Sequence, residues 1–168
     1  MNTFKATLLA SLIFVIGAPA ALAAESEVTW TNPEKYRDVK PNDTESRKRF
    51  EERTFKNLEK HFAKLAATLP KGGTLKFDVT DVDLAGDVNA GGIQRMRIVD
   101  TLYFPRIKFS YEYVDANQNI VVADEINLKD MNFMTGSRLK YRNDSLGYEK
   151  KMLDDWFKKT FKEHIVEK

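Results

Sequence analysis

A short segment near the carboxyl end combines cationic and aromatic side chains in a pattern suited to holding an anion. Arg138, Lys140, Tyr141 and Arg142 stand close together in the chain. A guanidinium can donate two parallel hydrogen bonds to a carboxylate or phosphate, and an aromatic ring can stack beside the pair. The segment therefore predicts a binding site for an anionic ligand or for a partner protein.

A structural interpretation of the same segment is also open. The two arginines could pair with Asp130, Asp144 or Glu149 and so tether a long irregular stretch of chain. Long loops often carry function, but they also need contacts that hold them in place. The sequence alone does not decide between a binding site and a tether.

A run of acids comes closest to a metal-binding pattern. Asp81, Asp83 and Gly86 match the first, third and sixth positions of a calcium-binding loop, and Asp87 follows them. The twelfth position, which should be a bidentate Glu, is Gly92, and the segment alternates in polarity as a strand does. We therefore predict no metal site, and expect these acids to line the solvent side of an edge strand and to discourage pairing with other chains.

Other enzymatic patterns are weaker still. His61 is expected at the boundary between the buried and charged faces of one helix, and His164 lies on another helix, so a three-ligand zinc site is not predicted. Asp154 and Asp155 are adjacent on a helix and point about 100° apart, which does not suit joint action on one glycosidic bond. We interpret both as solvated, with Asp154 paired to Lys158 one turn later. No cofactor is predicted.

Two amphipathic helices and several strands must position these residues. Apolar side chains recur at steps of three and four over Asp43–Leu69 and over Leu146–Phe161, which predicts two long helices. Asn42 or Asp43 is expected to cap the first helix. Strand-like alternation covers four segments, and a fifth strand is expected over Arg95–Leu102 with Met96, Ile98 and Leu102 facing inward. The four segments are Glu27–Trp30, Thr74–Leu84, Ile107–Tyr113 and Ile120–Leu128.

The strand patterns also predict how the sheet is built. The alternation changes phase between Val79 and Val82, so a β-bulge is expected at Thr80-Asp81. The polar run Asp115–Asn119 predicts the turn of a hairpin. We predict a single α+β domain, in which an antiparallel or mixed sheet of four or five strands carries both helices on one face. The expected core comprises Trp30, Phe50, Leu58, Phe62, Leu65, Phe77, Phe109, Tyr111, Leu153, Trp156 and Phe161.

The amino end has the pattern of a cleaved secretory signal. Lys5 precedes a short apolar run, and Ala21-Leu22-Ala23 places small residues where signal peptidase requires them. Cleavage after Ala23 would remove residues 1–23 and leave residues 24–168, which is 168 − 23 = 145 residues and suits one domain. We expect a periplasmic protein with no transmembrane segment after cleavage.

Charge balance and the lack of cysteine exclude several classes of protein. The chain has 27 Lys and Arg against 25 Asp and Glu, a net charge of +2, whereas nucleic-acid-binding domains usually have a clear basic excess. Cysteine is absent, so disulfides, thiolate metal sites and lipid attachment at cysteine are excluded. We expect no nucleic-acid partner, and the sequence does not predict the oligomeric state.

Strings distributed over most of the chain resemble the bacterial exported family catalogued as domain of unknown function 3016. The resemblance runs from about Val28 to Phe161. The family has no assigned activity, ligand or catalytic residues, so the resemblance implies export and adds no site. The strings are Val28-Thr29-Trp30 with Pro33 and Tyr36, Val79–Asp87, Pro105-Arg106-Ile107, Asn127–Met131, Arg142-Asn143-Asp144, Tyr148-Glu149-Lys150 and Leu153–Phe157.

Two hypotheses about function follow. The first is a non-catalytic binding or assembly module of the cell envelope that uses the segment 138–142 and a sheet edge. The second is a hydrolase acting on peptidoglycan or another envelope polymer, through carboxylates that the sequence does not identify. A deep cleft holding a carboxylate pair with strongly shifted pKa values would favour the hydrolase, and exposed, unpaired arginines on a shallow surface would favour the module.

Overall fold

A computed structural model of the chain describes residues 23–42, 44–88, 95–135 and 139–166. The predicted signal peptide lies outside the described residues except for Ala23, and Arg138 also lies outside them. The elements in chain order are β1 (Glu25–Trp30), α1 (Arg47–Ala66), β2 (Thr74–Asp83), β3 (Asp87–Val88), β4 (Arg97–Ile98), β5 (Arg106–Val114), β6 (Ile120–Lys129) and α2 (Gly147–Thr160). Short 3₁₀ turns cover Pro33–Lys35 and Leu139–Tyr141.

The main sheet has four strands in the order β1-β2-β5-β6. β1 runs parallel to β2, and the other two pairings are antiparallel, so the sheet is mixed. The turn at residues 115–119 joins β5 to β6, with the backbone N–H of Asp115 donating to Asn119 at 2.9 Å. The prediction of one α+β domain with a mixed sheet is confirmed.

The β-bulge predicted at Thr80-Asp81 is present. Val79 pairs with Phe109 of β5, while Asp81 pairs with the next residue back, Lys108, so Thr80 is the extra residue. Because the bulge changes the phase of alternation, Val79 and Val82 are both fully buried although they are three residues apart.

The strand predicted over Arg95–Leu102 is wrong in extent and in orientation. Only Arg97–Ile98 is a strand, and it pairs with β3 in a separate two-stranded sheet. Met96, Ile98 and Leu102 are all exposed, Leu102 to 75%. The small sheet does not pack these side chains against the main core, so they stay exposed although they are apolar.

Both helices pack on one face of the main sheet, as predicted. Phe62 of α1 and Trp156 of α2 each form ring contacts with Phe77 of β2 and Phe109 of β5. Most of the predicted core is buried around these four rings. Neither described helix has a stretch long and apolar enough to cross a bilayer.

Trp30 and Phe50 are exceptions to the predicted core, since both are only partly buried. Trp30 lies on the edge strand β1, where its ring stacks on Phe55 at 4.3 Å and its indole Nε1 donates to Glu59 at 2.8 Å. An indole N–H needs a hydrogen-bond partner, and at a sheet edge a glutamate from the helix above supplies one.

The start of α1 differs from the sequence prediction. Ser46 is the N-cap, and its Oγ accepts from the backbone N–H of Arg49 at 3.4 Å. Asn42 instead accepts from the hydroxyl of Thr44 at 2.6 Å in the turn before the helix, and Asp43 lies outside the described residues. Several consecutive residues here can cap a helix, so composition alone did not locate its first turn.

Candidate functional site

A cleft of about 650 Å³ opens between α1, α2 and the 3₁₀ turn Leu139–Tyr141. The volume falls within the usual range for ligand pockets, roughly 300–1,000 Å³. The chain after α2 turns back towards α1, because the backbone N–H of Val166 donates to the carbonyl of Thr68 at 2.9 Å. This contact brings Ile165 into the lining, where it joins Leu65 and Phe157.

Asp154 is the central acid of the cleft. Its side chain is buried, and its Oδ2 accepts from the ammonium of Lys140 and from the hydroxyl of Tyr141, each at 2.8 Å. Both donors come from the 3₁₀ turn, while Asp154 lies on α2. The network therefore fixes the turn against the helix through two charge-assisted bonds.

His61 on α1 approaches the other oxygen of the same carboxylate. Its Nε2 lies 3.1 Å from Oδ1 of Asp154, and the side chain is only 4% exposed. The two atoms lack the alignment of a hydrogen bond, and neither has another hydrogen-bond partner among the described residues. The ring of Tyr141 meets the imidazole edge-on at 5.8 Å. The cleft thus contains a buried polar pair whose hydrogen-bonding capacity is not fully used.

Lys150 forms a second polar group in the same cleft. Its ammonium donates to Oδ1 of Asn57 at 2.7 Å and forms a short ion pair with Asp144. The lysine side chain is only 8% exposed. Its burial is possible because both contacts satisfy the charge, since an unpaired buried ammonium would be strongly unfavourable.

The partners of the two cleft carboxylates keep both in the ionised form. Burial opposes ionisation of Asp154, but the proximity of His61 and the hydrogen bonds from Lys140 and Tyr141 outweigh it and hold its pKa well below the ordinary 3.8. Burial likewise opposes ionisation of Asp144, and the bonds from Lys150 and from the backbone of Leu146 lower its pKa. Neither acid carries a proton at neutral pH.

The charges around the cleft do not balance. Five lysines and two aspartates line it, which gives 5 − 2 = +3 for these side chains. Lys140 and Lys150 are paired with the two acids, so the excess comes from Lys60, Lys64 and Lys158. The side chains of these three are exposed and form no hydrogen bond or ion pair with another described residue.

Only part of the predicted binding segment lies in the cleft. Lys140 and Tyr141 line the cleft. Arg142 is exposed and does not line it, and forms no hydrogen bond or ion pair with another described residue. Asp144 and Glu149, considered above as partners for the arginines, are instead bound by Lys150 and by the backbone N–H of Ala85. Arg138 lies outside the described residues.

Two sequence interpretations of the helices are wrong. Asp154 is buried rather than solvated, and it pairs across elements with Lys140 instead of along α2 with Lys158. His61 is buried rather than at a boundary. The spacing of the polar residues could have indicated the site. Asn57 and His61 lie one turn apart beside the apolar stripe of α1, and Lys150 and Asp154 lie one turn apart beside that of α2.

A second cavity, of about 450 Å³, lies beyond the first turn of α2. Glu149 is completely buried there, accepting from the backbone N–H of Ala85 at 2.7 Å, and burial raises its pKa. Arg97 donates to Asp38 at 2.7 Å and to the carbonyl of Gly86 at 2.9 Å. The Glu149 bond joins the loop after β2 to α2, and the Arg97 bonds join the same loop to Asp38.

The acidic run does not occupy an edge strand, so that prediction is wrong. Asp81 and Asp83 belong to β2, which pairs with β5 on one side and, on the other, with β1 as far as Val79 and then with Asp38 at Asp83. Arg37 stands 3.7 Å from Asp81 and 3.6 Å from Asp83, while Asp87 belongs to β3. Within the described residues, no three His or acidic side chains are grouped to hold a metal ion.

Comparison with known proteins gives one positive finding. The model of the family described as "Protein of unknown function (DUF3016)" matches residues 24–159. Searches of the curated proteins and of the solved structures find no match.

Proposed function

The chain belongs to the DUF3016 family of proteins of unknown function, and we propose that it is a non-catalytic binding module of the cell envelope that holds an anionic ligand in the cleft between α1 and α2. The observation that carries the proposal is the set of three lysines, Lys60, Lys64 and Lys158, that surround the cleft without a counterion among the described residues. An anionic ligand would supply the missing charge.

Lys140 and Tyr141 connect this cleft with the segment that the sequence singled out. The side chain of Lys140 is 70% exposed although its ammonium contacts Asp154, so it faces both the buried acid and the opening. Its hydrogen bond to Asp154 raises its pKa, and the ammonium therefore stays charged at neutral pH. Lys140 therefore links the predicted segment to the cleft, while the charge without a partner lies on the other three lysines.

The hydrolase hypothesis has less support from the cleft. General acid catalysis needs a carboxyl group that is protonated near neutral pH, and the pKa values of Asp144 and Asp154 are both lowered. Glu149 has a raised pKa, but it is completely buried and accepts a backbone hydrogen bond in the other cavity. Among the described residues that line the cleft, only two carry hydroxyls: Thr68, which donates to the carbonyl of Leu65, and Tyr141, whose pKa is raised by burial.

Affinity capture from an envelope extract tests the binding proposal. The bait is the purified protein, compared with the triple variant Lys60→Gln, Lys64→Gln, Lys158→Gln. The triple variant Lys35→Gln, Lys56→Gln, Lys71→Gln is a matched control, because it removes the same charge from exposed lysines outside the cleft. Nonspecific ion exchange should fall equally in both variants.

We expect the wild type and the control to retain an anionic component that the cleft variant loses. Mass spectrometry of the eluate then separates a protein partner from a glycan or small molecule. Equal retention by all three baits would refute the cleft as the binding site. Release of soluble fragments from purified peptidoglycan by the wild type alone would support the hydrolase instead.

The proposed location in the envelope has its own test. The signal pattern predicts a mature chain starting at Ala24, so the intact mass of protein isolated from an envelope fraction should correspond to residues 24–168. A chain that still begins at Met1 would refute cleavage.

A further inference from the structure

We infer that the ligand is an anionic amphiphile, whose carboxylate or phosphate group is held by Lys60, Lys64 and Lys158 and whose alkyl chain lies on the apolar floor of the cleft. The inference rests on the proposed function, since it names the ligand class of the same cleft. It follows from where charge and apolar surface lie along the helices.

One end of the cleft is polar and already neutralised. Asp144 and Asp154 balance Lys150 and Lys140, which gives 2 − 2 = 0 for this group. An anion placed here would meet two ionised carboxylates and would gain little from lysines that are already paired. The polar end therefore does not favour the head group of an anionic ligand.

The unpaired cations come from the two helices that border the cleft. Lys60 and Lys64 are one turn apart on α1, and Lys158 is on α2 across the cleft. Lysine side chains extend their ammonium groups into solvent while their methylene stems cover apolar surface. All three line the same cleft, two from α1 and one from α2.

The surface next to these lysines is apolar. Leu65 and Phe157 form the floor, and Ile165, which is half-buried, adds to it from the returning chain. A small polar anion such as acetate would satisfy the lysines but leave this surface in contact with water. An alkyl chain attached to the anion would cover it, and its contribution grows with each methylene that it buries.

Calorimetric titration of the protein with a matched set of probes tests the inference. The probes are acetate, octanoate, dodecanoate, dodecyl phosphate and dodecyltrimethylammonium, each below its micellar concentration. One buried methylene is worth a factor of about four in affinity, so even two more buried methylenes should make dodecanoate bind at least about tenfold tighter than octanoate.

Two variants test which residues contact the head group of the ligand and which contact its alkyl chain. The cleft triple variant Lys60→Gln, Lys64→Gln, Lys158→Gln should lose at least about tenfold in affinity for dodecanoate, and the control at Lys35, Lys56 and Lys71 should not. Ile165→Asn should lower the affinity for dodecanoate more than the affinity for octanoate. Ile120→Asn, a substitution at an exposed position of β6, should leave both affinities unchanged. Thermal unfolding of each variant verifies that it is folded.

The possible failures are distinguishable. If acetate, octanoate and dodecanoate bind with equal affinity, and that affinity depends on the three lysines, the inference of an amphiphilic ligand is wrong. The proposal that the cleft binds an anion would then still hold. Dodecyltrimethylammonium binding as tightly as dodecanoate would overturn the assignment of the head group. If no anion binds and the folded triple variant still captures the same envelope material as the wild type, the proposed function falls as well. Binding to phosphatidylglycerol vesicles but to no free probe would refute a free amphiphile as the ligand.

Discussion

Helix α2 carries two buried carboxylates, Asp154 and Glu149, whose pKa values shift in opposite directions. Asp154 is surrounded by the side chains of His61, Lys140 and Tyr141, and its pKa is lowered despite burial. Glu149 is completely buried against the loop after β2, and burial raises its pKa although the backbone N–H of Ala85 donates to it. Burial opposes ionisation at both positions, so the cationic and hydroxyl partners account for the difference.

The two regions differ in whether a ligand could reach them from solvent. The Asp154 region opens into a cleft with unpaired lysines nearby, and its acid stays charged. The Glu149 region joins secondary-structure elements, because Glu149 connects α2 to Ala85 and Arg97 connects the same loop to Asp38. We therefore propose the first region as the binding site, while the second joins parts of the fold.

The largest expected effect is on stability, from Asp154→Ala. The change removes the acceptor of Lys140 and Tyr141 and leaves the buried His61 without its nearest polar neighbour, which should cost about 2–4 kcal/mol. Urea unfolding followed by the fluorescence of Trp30 and Trp156 measures it. Asp155→Ala is the matched control, since Asp155 is exposed and, among the described residues, pairs only with Lys151, so its loss should be below about 0.5 kcal/mol. Similar losses for both variants would contradict the assigned network.

A somewhat smaller loss is expected from Lys150→Met. Methionine fills the space of the buried stem but leaves Asp144 and Asn57 without their shared donor, which should cost about 1–3 kcal/mol. The adjacent Lys151→Met interrupts only a surface pair and should cost less than about 0.5 kcal/mol. If Lys150→Met were as stable as wild type, the buried ammonium would not contribute to joining the two helices.

Changes at the two acids should alter the pH dependence of stability in opposite directions. The folded pKa of Asp154 lies below its ordinary 3.8, so its contribution is present above that pH and is lost as the pH falls towards the folded value. The folded pKa of Glu149 lies above its ordinary 4.5, so the folded protein loses stability from this group as the pH rises above 4.5.

Urea unfolding between about pH 3 and 8 compares Asp154→Asn and Glu149→Gln with wild type. The deficit of Asp154→Asn should shrink towards acid pH. Glu149→Gln keeps an oxygen that can accept from Ala85, so any deficit should shrink, or turn into a gain, towards neutral pH. Parallel curves for the two variants would show that both acids occupy equivalent environments and would refute the comparison.

The smallest expected effect on stability is from Arg142→Ala. The side chain is exposed and has no described partner, so the free energy of unfolding should change by less than about 0.5 kcal/mol. If Arg142 extends the binding surface beyond the cleft, this variant should also retain less material in the capture experiment. A clear drop in melting temperature would instead indicate that Arg142 has a tethering role.

Features that depend on neighbours in the chain were predictable from the sequence. The alternation of β5 and the stripes of the two helices predicted the elements, and the phase change between Val79 and Val82 predicted the bulge. The apolar residues around β4 were misleading, since Met96, Ile98 and Leu102 suggest a buried strand that the structure does not contain. Periodicity shows which face is apolar, but it does not show whether another element covers that face.

The candidate site is formed by contacts between residues that are far apart in the sequence. Lys140 and Tyr141 attracted attention because their residue types suit an anion. The sequence predicts that their partner Asp154 is a solvated acid, because Lys158 lies one turn later on the same helix. In the fold the 3₁₀ turn brings two donors from 13 and 14 residues away, and these outcompete the local pair.

The sequence by itself determined the α+β class, the order of the elements, the core face of each helix and membership of the family, because these follow from local periodicity and from strings of residues along the chain. Only the tertiary structure decided that polar residues beside the two apolar stripes meet in one cleft. Packing both helices on one face of the sheet brings Asn57 and His61 opposite Lys150 and Asp154. The distance between α1 and α2 is set by core residues such as Phe62 and Trp156, so the site is a consequence of packing that local sequence patterns do not encode.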